Sequence, residues 1–172
     1  RSLDGVRKGM LIKFLSESQL IGGERQIINL DNADLSGANL VGANLSRACM
    51  SGVLLLRAHL DYADLSYADL CKADLWEASL NRANLRGANL SEADLSKLGS
   101  FETDFSEATI KGAKVDYKYL TKAKSLHGTI MWDGTIYNPG IHTEIVRYRK
   151  HSGFDDGNKP PEEFDGNAGE DK

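Results

Sequence analysis

A period of five residues runs through most of this chain. A large apolar residue occupies every fifth position from Leu30 to Leu120, and Ser100 is the single exception among nineteen such positions. This period matches neither the 3.6-residue turn of an amphipathic helix nor the two-residue alternation of a long strand. A short unit repeated this often predicts a solenoid, in which each unit is stabilised by its copies above and below.

Each five-residue unit has the same internal order around its large apolar residue, which we call the centre. Two positions before the centre stands a small residue, mostly Ala, and between the two stands mostly Asp or Asn. Two apolar residues separated by one polar residue are typical of an extended triplet with both apolar side chains on one face. The two residues after the centre, such as Ser36-Gly37 and Arg86-Gly87, are rich in turn formers. We therefore predict a short inward-facing strand and a corner for every unit.

Stacked coils of such units lie about 4.8 Å apart, and sides of about 10 Å leave room for roughly two opposed Leu side chains in a square. The pattern A-[D/N]-L-x-x, repeated without insertions over about residues 29–125, resembles the pentapeptide-repeat family. That resemblance implies a right-handed quadrilateral β-helix with four pentapeptides per coil and almost five coils. The flanking segments KGMLIKFLSESQLI and LHGTIMWDGTIY are similar to those of cyanobacterial members.

The ends of a solenoid expose strand edges and a section through the core, so both ends require caps. We predict an all-β fold with an N-terminal α-helical cap. Residues 1–28 form the amphipathic cap helix and lead-in, 29–125 the solenoid, 126–150 a C-terminal cap and 151–172 a disordered acidic tail. The apolar residues of the cap helix are expected to face the first coil, and they are Leu3, Val6, Met10, Leu11, Phe14 and Leu15.

Charge and composition narrow the classes of partner. Residues 151–172 carry seven acids and two bases, whereas residues 1–150 carry 18 acids and 19 bases. A surface of mixed sign predicts no direct nucleic-acid binding. No apolar run is long enough to span a bilayer, and a basic face this short favours a cap helix over a membrane-surface helix. Since the chain begins at Arg1 rather than Met, a fragment or a processed form that has lost a targeting segment stays open.

The sequence offers no catalytic, cofactor-binding or metal-binding constellation. Serines recur at one corner position and aspartates at one strand position because the repeat requires them there, and a filled solenoid has no cleft in which to tune a carboxylate. Cys49 and Cys71 are expected to lie about 8 Å apart, beyond disulfide reach, which favours a reducing, cytoplasmic location. None of the four histidines stands at metal-ligand spacing from a cysteine. We predict that the protein is not an enzyme.

One unit departs from the repeat in a way that suggests a contact surface. Leu54 and Leu56 occupy the two outward positions beside Leu55, where most units carry Asp, Asn or Ser. At twenty residues per coil, Trp76 lies directly above Leu56, and Phe101 lies one face further on. Leu54, Leu56, Trp76 and Phe101 are therefore the candidate partner surface. The competing interpretation is that segment 138–151 folds back over it.

The leading hypothesis is a non-catalytic scaffold that presents its faces to an unknown protein partner, as a monomer or with a dimer left open. The alternative, implied by the family resemblance, is a mimic of duplex DNA that inhibits or modulates a DNA-binding enzyme such as gyrase. Residues 29–125 hold 13 acids and 11 bases. That charge is far from the duplex value of about one negative charge per 1.7 Å.

Overall fold

The computed structural model describes residues 3–22, 27–140, 142 and 145, so the predicted tail at 151–172 lies outside the described residues. Helix α1 spans Gly5–Glu17 and helix α2 spans Tyr117–Leu120. Between them the chain forms single-residue parallel β-bridges rather than long strands. Thirteen of these bridges join residues twenty positions apart, from Asp34–Leu54 up to Asp94–Lys114. Four pentapeptides therefore complete one coil, as the square cross-section requires.

The centres and the small residues before them fill the axis of the coil. Every Leu centre from Leu40 to Leu95 is fully buried, and the Ala residues two positions earlier are at most 4 % exposed. Each buried Leu side chain contributes roughly 1.5–3 kcal/mol through the area it removes from water. At Leu98 and Ser100 the large and small inward residues are exchanged, and both remain buried. The core is therefore repacked in that unit without a break.

The unit 63–67 illustrates how each coil uses its backbone N–H groups. Ala63 donates across the preceding turn, and Asp64 donates to the coil below. Leu65 and Tyr67 donate to the coil above. The remaining N–H, that of Ser66, donates to the Asp64 carboxylate at 3.0 Å. Asp and Asn therefore recur before the centre because their side chains accept the one N–H that neither neighbouring coil can take.

The corners share one backbone conformation. The second residue after the centre has a positive φ at every unit from Asn32 to Gly112, and most of these residues are not Gly. A positive φ at the second central residue alone is typical of a type II turn. A hydrogen bond from the next small residue back to the centre, such as Ala38 N–H to Leu35 O at 3.0 Å, closes the turn. Stacked identical turns place equivalent residues in vertical columns.

Helix α1 takes the place of a missing coil at the lower end. In higher coils the residue before the centre donates downward, as His59 does to Ala38 O at 2.9 Å. In the first coil Asn39 donates instead to Gly5 O of α1, at 3.2 Å. The Ser16 hydroxyl of α1 donates to Asn44 O, a carbonyl of the same lower edge. The helix therefore covers the strand edge that a solenoid would otherwise expose.

The predicted orientation of the cap helix is wrong. Gly9 and Ile12 are the buried residues of α1, and a side chain at Gly5 or Gly9 would overlap the carbonyl groups of the first coil. Most of the apolar residues expected to face inward are instead exposed, namely Leu3, Val6, Met10, Leu11 and Phe14; Leu15 alone packs partly against the core. The helix lies on its small side because its backbone must approach the coil edge closely.

The upper end departs from the repeat after Val115. Helix α2 replaces a strand at the predicted inward position of Lys118, whose ammonium lies 2.8 Å from the Asp116 carboxylate in water. One extra residue then enters the coil, because Asp104 pairs with Ser125 and Thr109 with Ile130, at spacings of twenty-one. The register of the repeat therefore slips by one residue after Ala123. An antiparallel bridge between Ile130 and Ile136 ends the stack.

Candidate partner-binding surface

The outward positions of the coil form vertical columns, and Leu54 interrupts one of them. It pairs with Asp34 below and Asp74 above, in a column that continues to Asp94. The Asp34, Asp74 and Asp94 carboxylates each accept an N–H two residues on, at 3.0–3.1 Å. A Leu side chain cannot accept this hydrogen bond, and Leu54 is 41 % exposed. The residue therefore gives up a local hydrogen bond and presents an apolar side chain to water.

Leu56 and Trp76 occupy successive levels of the adjoining corner column. Gly37 N–H donates to Leu56 O at 2.8 Å, and Arg57 N–H donates to Trp76 O at 3.0 Å, so the backbones at these levels are stacked. Both side chains are partly exposed. The structure thus places Leu54, Leu56 and Trp76 around one corner of the rod, as the twenty-residue spacing predicts. We call these three residues the Trp76 corner.

Two cations flank the indole of Trp76. The Arg57 guanidinium carbon lies 5.1 Å from the ring centroid, and the Lys97 ammonium lies 4.9 Å from it. Both distances suit a cation–π interaction. Glu77 binds the same two cations, with its carboxylate oxygens 2.8 Å from Arg57 Nε and 3.3 Å from Lys97 Nζ. The hydrogen bond from Arg57, followed by that from Lys97, lowers the pKa of Glu77.

Arg57, Glu77 and Lys97 were not among the residues predicted for this surface. They stand twenty residues apart, in the second corner column, so the coil period places them above one another. The same spacing that stacks Trp76 on Leu56 would have identified them. Arg57 and Lys97 place two positive charges against the indole ring, which makes the corner both apolar and cationic.

Phe101 lies at the next corner of the rod, apart from the other three residues. It is 41 % exposed, and its N–H donates to the Asn81 side-chain oxygen at 3.0 Å. With Lys118, Tyr119 and Lys122 it lines an open pocket that forms where α2 replaces a regular strand. The four predicted residues therefore form one group of three and one separate member.

The suggested covering of this surface by segment 138–151 falls largely outside the described residues. Of that segment, His142 is buried at the upper end, where its ring stacks on Tyr137 with centroids 5.6 Å apart. Its ring also meets Trp132 edge-on at 5.9 Å. These contacts belong to the upper end of the stack and not to the Trp76 corner.

Metal and disulfide chemistry can be assessed for the part of the chain that the structure describes. No group of three His, Cys, Asp or Glu residues in that part lies close enough to hold a metal ion. Cys49 and Cys71 are not joined by a disulfide. Neither helix of the described residues has the length and apolar character needed to cross a bilayer.

The repeat geometry agrees with a family comparison. A family model described as pentapeptide repeats matches eight copies, over residues 28–55, 42–76 and 58–96. Residues 28–96 therefore consist of repeats of the pentapeptide-repeat type. No curated protein sequence matches it directly.

Several solved pentapeptide-repeat structures are similar to the chain. One, from the Arabidopsis thaliana thylakoid lumen, is 26% identical with a TM-score of 0.42, and the match covers 69% of this chain and 92% of that one. Rfr23 from the cyanobacterium Cyanothece 51142 is 32% identical with a TM-score of 0.31, covering 54% and 63%. HetL from Nostoc sp. strain PCC 7120 is described as involved in heterocyst differentiation regulation. It is 34% identical with a TM-score of 0.24, covering 63% and 57%.

Proposed function

We propose that this pentapeptide-repeat protein is a non-catalytic scaffold that binds a protein partner at the corner formed by Leu54, Leu56 and Trp76. The observation that carries the proposal is an exposed Leu on a regular stack, one coil below a Trp whose ring contacts two cations. Trp and Arg are enriched among the residues that dominate binding energy at protein interfaces. An exposed Leu in a column of Asp has no role in the repeat itself, which favours a role in contact.

The stacked coils prepare this corner for binding. Arg57 and Lys97 both contact the indole of Trp76, which restricts its side-chain freedom before a partner arrives. The two cations share the single carboxylate of Glu77. We therefore expect a partner segment that places an apolar side chain on Leu54 and Leu56 and an acidic group near Arg57 or Lys97. Phe101 would extend the surface around the next corner.

The charge pattern offers little support for mimicry of duplex DNA. Corner columns alternate in sign, as in Lys72–Glu92 and Arg82–Glu102. One strand column alternates Asn44, Asp64, Asn84 and Asp104. Within it, the Asn84 amide donates to the Asp64 carboxylate at 3.1 Å. A duplex instead presents one uninterrupted row of negative phosphates on each strand.

Two further points stay predictions. They are the right-handed sense of the coil, which the family resemblance implies, and the cytoplasmic location.

The test is a crosslinking pull-down from the native host with three forms of the full chain. These are the wild type, the double variant Leu56→Glu and Trp76→Glu, and the matched control Val41→Glu. Val41 is an exposed apolar residue at the same position of its unit as Leu56, but at another corner. We expect a specific partner to be captured by the wild type and the control and lost by the double variant. Equal capture by all three would overturn the proposal.

A gyrase supercoiling assay separates the scaffold from the DNA mimic. The scaffold hypothesis predicts no inhibition at micromolar protein concentrations. Potent inhibition that the double variant retains would favour the mimic, because mimicry depends on the acidic faces and not on the Trp76 corner.

A further inference from the structure

Helix α1 carries an apolar stripe on the side that faces away from the coil. Leu3, Val6, Met10, Leu11 and Phe14 are between 43 % and 67 % exposed. Leu3 precedes the helix, and within it Met10, Leu11 and Phe14 lie opposite Gly5, Gly9 and Ile12, the side that packs on the first coil. Val6 lies at the flank of this side, and the exposed Arg7 lies among the apolar residues. Five large apolar side chains are thus presented together at the lower end of the rod. We call them the α1 stripe.

The α1 stripe is large enough to form an interface when it meets a copy of itself. At roughly 150 Å² for a fully exposed side chain, the low end of the aromatic range, the exposed fractions leave about 400 Å² of apolar surface. Two copies would together bury at most about 800 Å², which suits a weak, concentration-dependent dimer rather than a permanent one. A patch of about 400 Å² is within the range of the largest patch on a typical monomer, which is often functional.

A lipid surface fits the α1 stripe less well than a second copy does. Interfacial helices bind membranes through an apolar face flanked by Lys and Arg that attract anionic headgroups. In α1, Lys8 is 3.1 Å from the Asp34 carboxylate with its side chain 13% exposed, and Arg7 lies 3.7 Å from Asp4. Two of its three bases are thus already paired with acids of the same chain.

We propose that the α1 stripe is a homodimer interface, in which α1 of one copy packs antiparallel on α1 of a second and joins two rods end to end. The antiparallel arrangement opposes the two helix dipoles favourably. Since α1 is held to the first coil through Gly5 and Gly9, it offers the partner a rigid surface.

The experiment measures the mass of the full chain by light scattering after size-exclusion chromatography, from about 1 to 100 μM, a range suited to a small interface. The test variant is Met10→Glu with Phe14→Glu, two residues that are 67% and 63% exposed, so the fold should tolerate both changes. The matched control is Leu54→Glu, an exposed apolar residue outside α1. A second arm measures flotation with vesicles of phosphatidylcholine and phosphatidylserine.

We expect a concentration-dependent dimer for the wild type and for Leu54→Glu, and at least a tenfold weaker one for the double variant. Unfolding followed by circular dichroism should show the same transition for the double variant as for the wild type, with both diluted to the monomer. A monomer throughout, or a dimer that the double variant retains, would overturn the proposal. Vesicle binding by the wild type without dimer formation would assign the stripe to membranes instead. Because Leu54 is outside the interface, these outcomes do not depend on the Trp76 corner.

Discussion

The middle coils and the lower end of this protein bury different kinds of residue. In the middle, each unit has near copies of itself above and below, so its position in the repeat decides which side chains point inward. At the lower end the neighbour is α1, which meets a row of carbonyl groups. There the closest contacts are made by Gly5 and Gly9, and large apolar residues face water. Periodicity thus predicts burial where the neighbours are copies, and fails where a different element takes their place.

The largest effect is expected from truncating a Leu in the middle of the stack. Leu70 is fully buried, so Leu70→Ala should lower the free energy of unfolding by about 2–5 kcal/mol through lost burial and a residual cavity. The matched control is Leu11→Ala in α1, where the side chain is 46 % exposed. That change should cost less than about 0.5 kcal/mol in the monomer. Urea unfolding of both variants at low protein concentration provides the measurement.

Similar losses for the two Leu variants would break the comparison. They would mean that Leu11 is buried and that the helix packs on its apolar side after all. A change in the slope of the urea transition would need separate treatment, since it would report a change in the surface exposed on unfolding.

A smaller effect is expected where α1 meets the coil. In an isolated helix Gly→Ala is stabilising by about 1 kcal/mol. At Gly9 a methyl group would overlap the Asn39 carbonyl, which is backbone and cannot move aside. Gly9→Ala should therefore destabilise the protein by about 1–3 kcal/mol, as overpacking does. Hydrogen exchange should show faster exchange in α1 and at the Asn39 N–H, with the middle coils unchanged.

Phe14→Ala is the control for this prediction, because Phe14 lies on the opposite side of the same helix and is 63 % exposed. It should leave the exchange of Asn39 as it is in the wild type. Stabilisation by Gly9→Ala would show that α1 does not approach the coil closely and would restore the apolar-side orientation.

The sequence predicted the repeated part of the fold well because one rule acts there at every level. The five-residue spacing of centres such as Leu40 and Leu45 predicted the inward positions. The room needed by two opposed Leu side chains, together with the family resemblance, predicted four units per coil. The orientation of α1 was wrong because apolar residues at helical spacing identify a side of the helix but not what it meets. The signal in the sequence was the pair Gly5 and Gly9, four residues apart, which permits close backbone approach on the other side.

The candidate surface was predicted only in part, because one side of it lies beside α2, where the repeat is interrupted. Leu56 and Trp76 stack because they stand twenty residues apart within the regular coils. Phe101 belongs to the next corner, and its surroundings depend on α2, which interrupts the repeat. The position of α2 follows from the sequence only indirectly, through the charge of Lys118 at an inward position.

The smallest expected effect concerns the ion pair between α1 and the first coil. The Asp34 carboxylate accepts the Ser36 N–H at 3.0 Å and lies 3.1 Å from Lys8. The Ser36 N–H, then the Ser36 hydroxyl and Lys8, lower the pKa of Asp34 from 3.8 to about 2. A folded-state pKa below the unfolded one means that the stabilisation is complete above the unfolded value. It is lost as the pH falls through 3.8 towards 2.

Asp34→Asn separates the two roles of this side chain, because the amide oxygen still accepts the Ser36 N–H but carries no charge for Lys8. At pH 7 we expect the variant to be less stable than the wild type by at most about 1 kcal/mol, since Asp34 is largely exposed. Thermal unfolding at pH 7, 4 and 2.5 should show this gap closing as Asp34 is protonated. A gap that stays constant over this range would mean that Lys8 does not hold α1 to the coil through charge. The docking of α1 would then depend on its close backbone contacts alone.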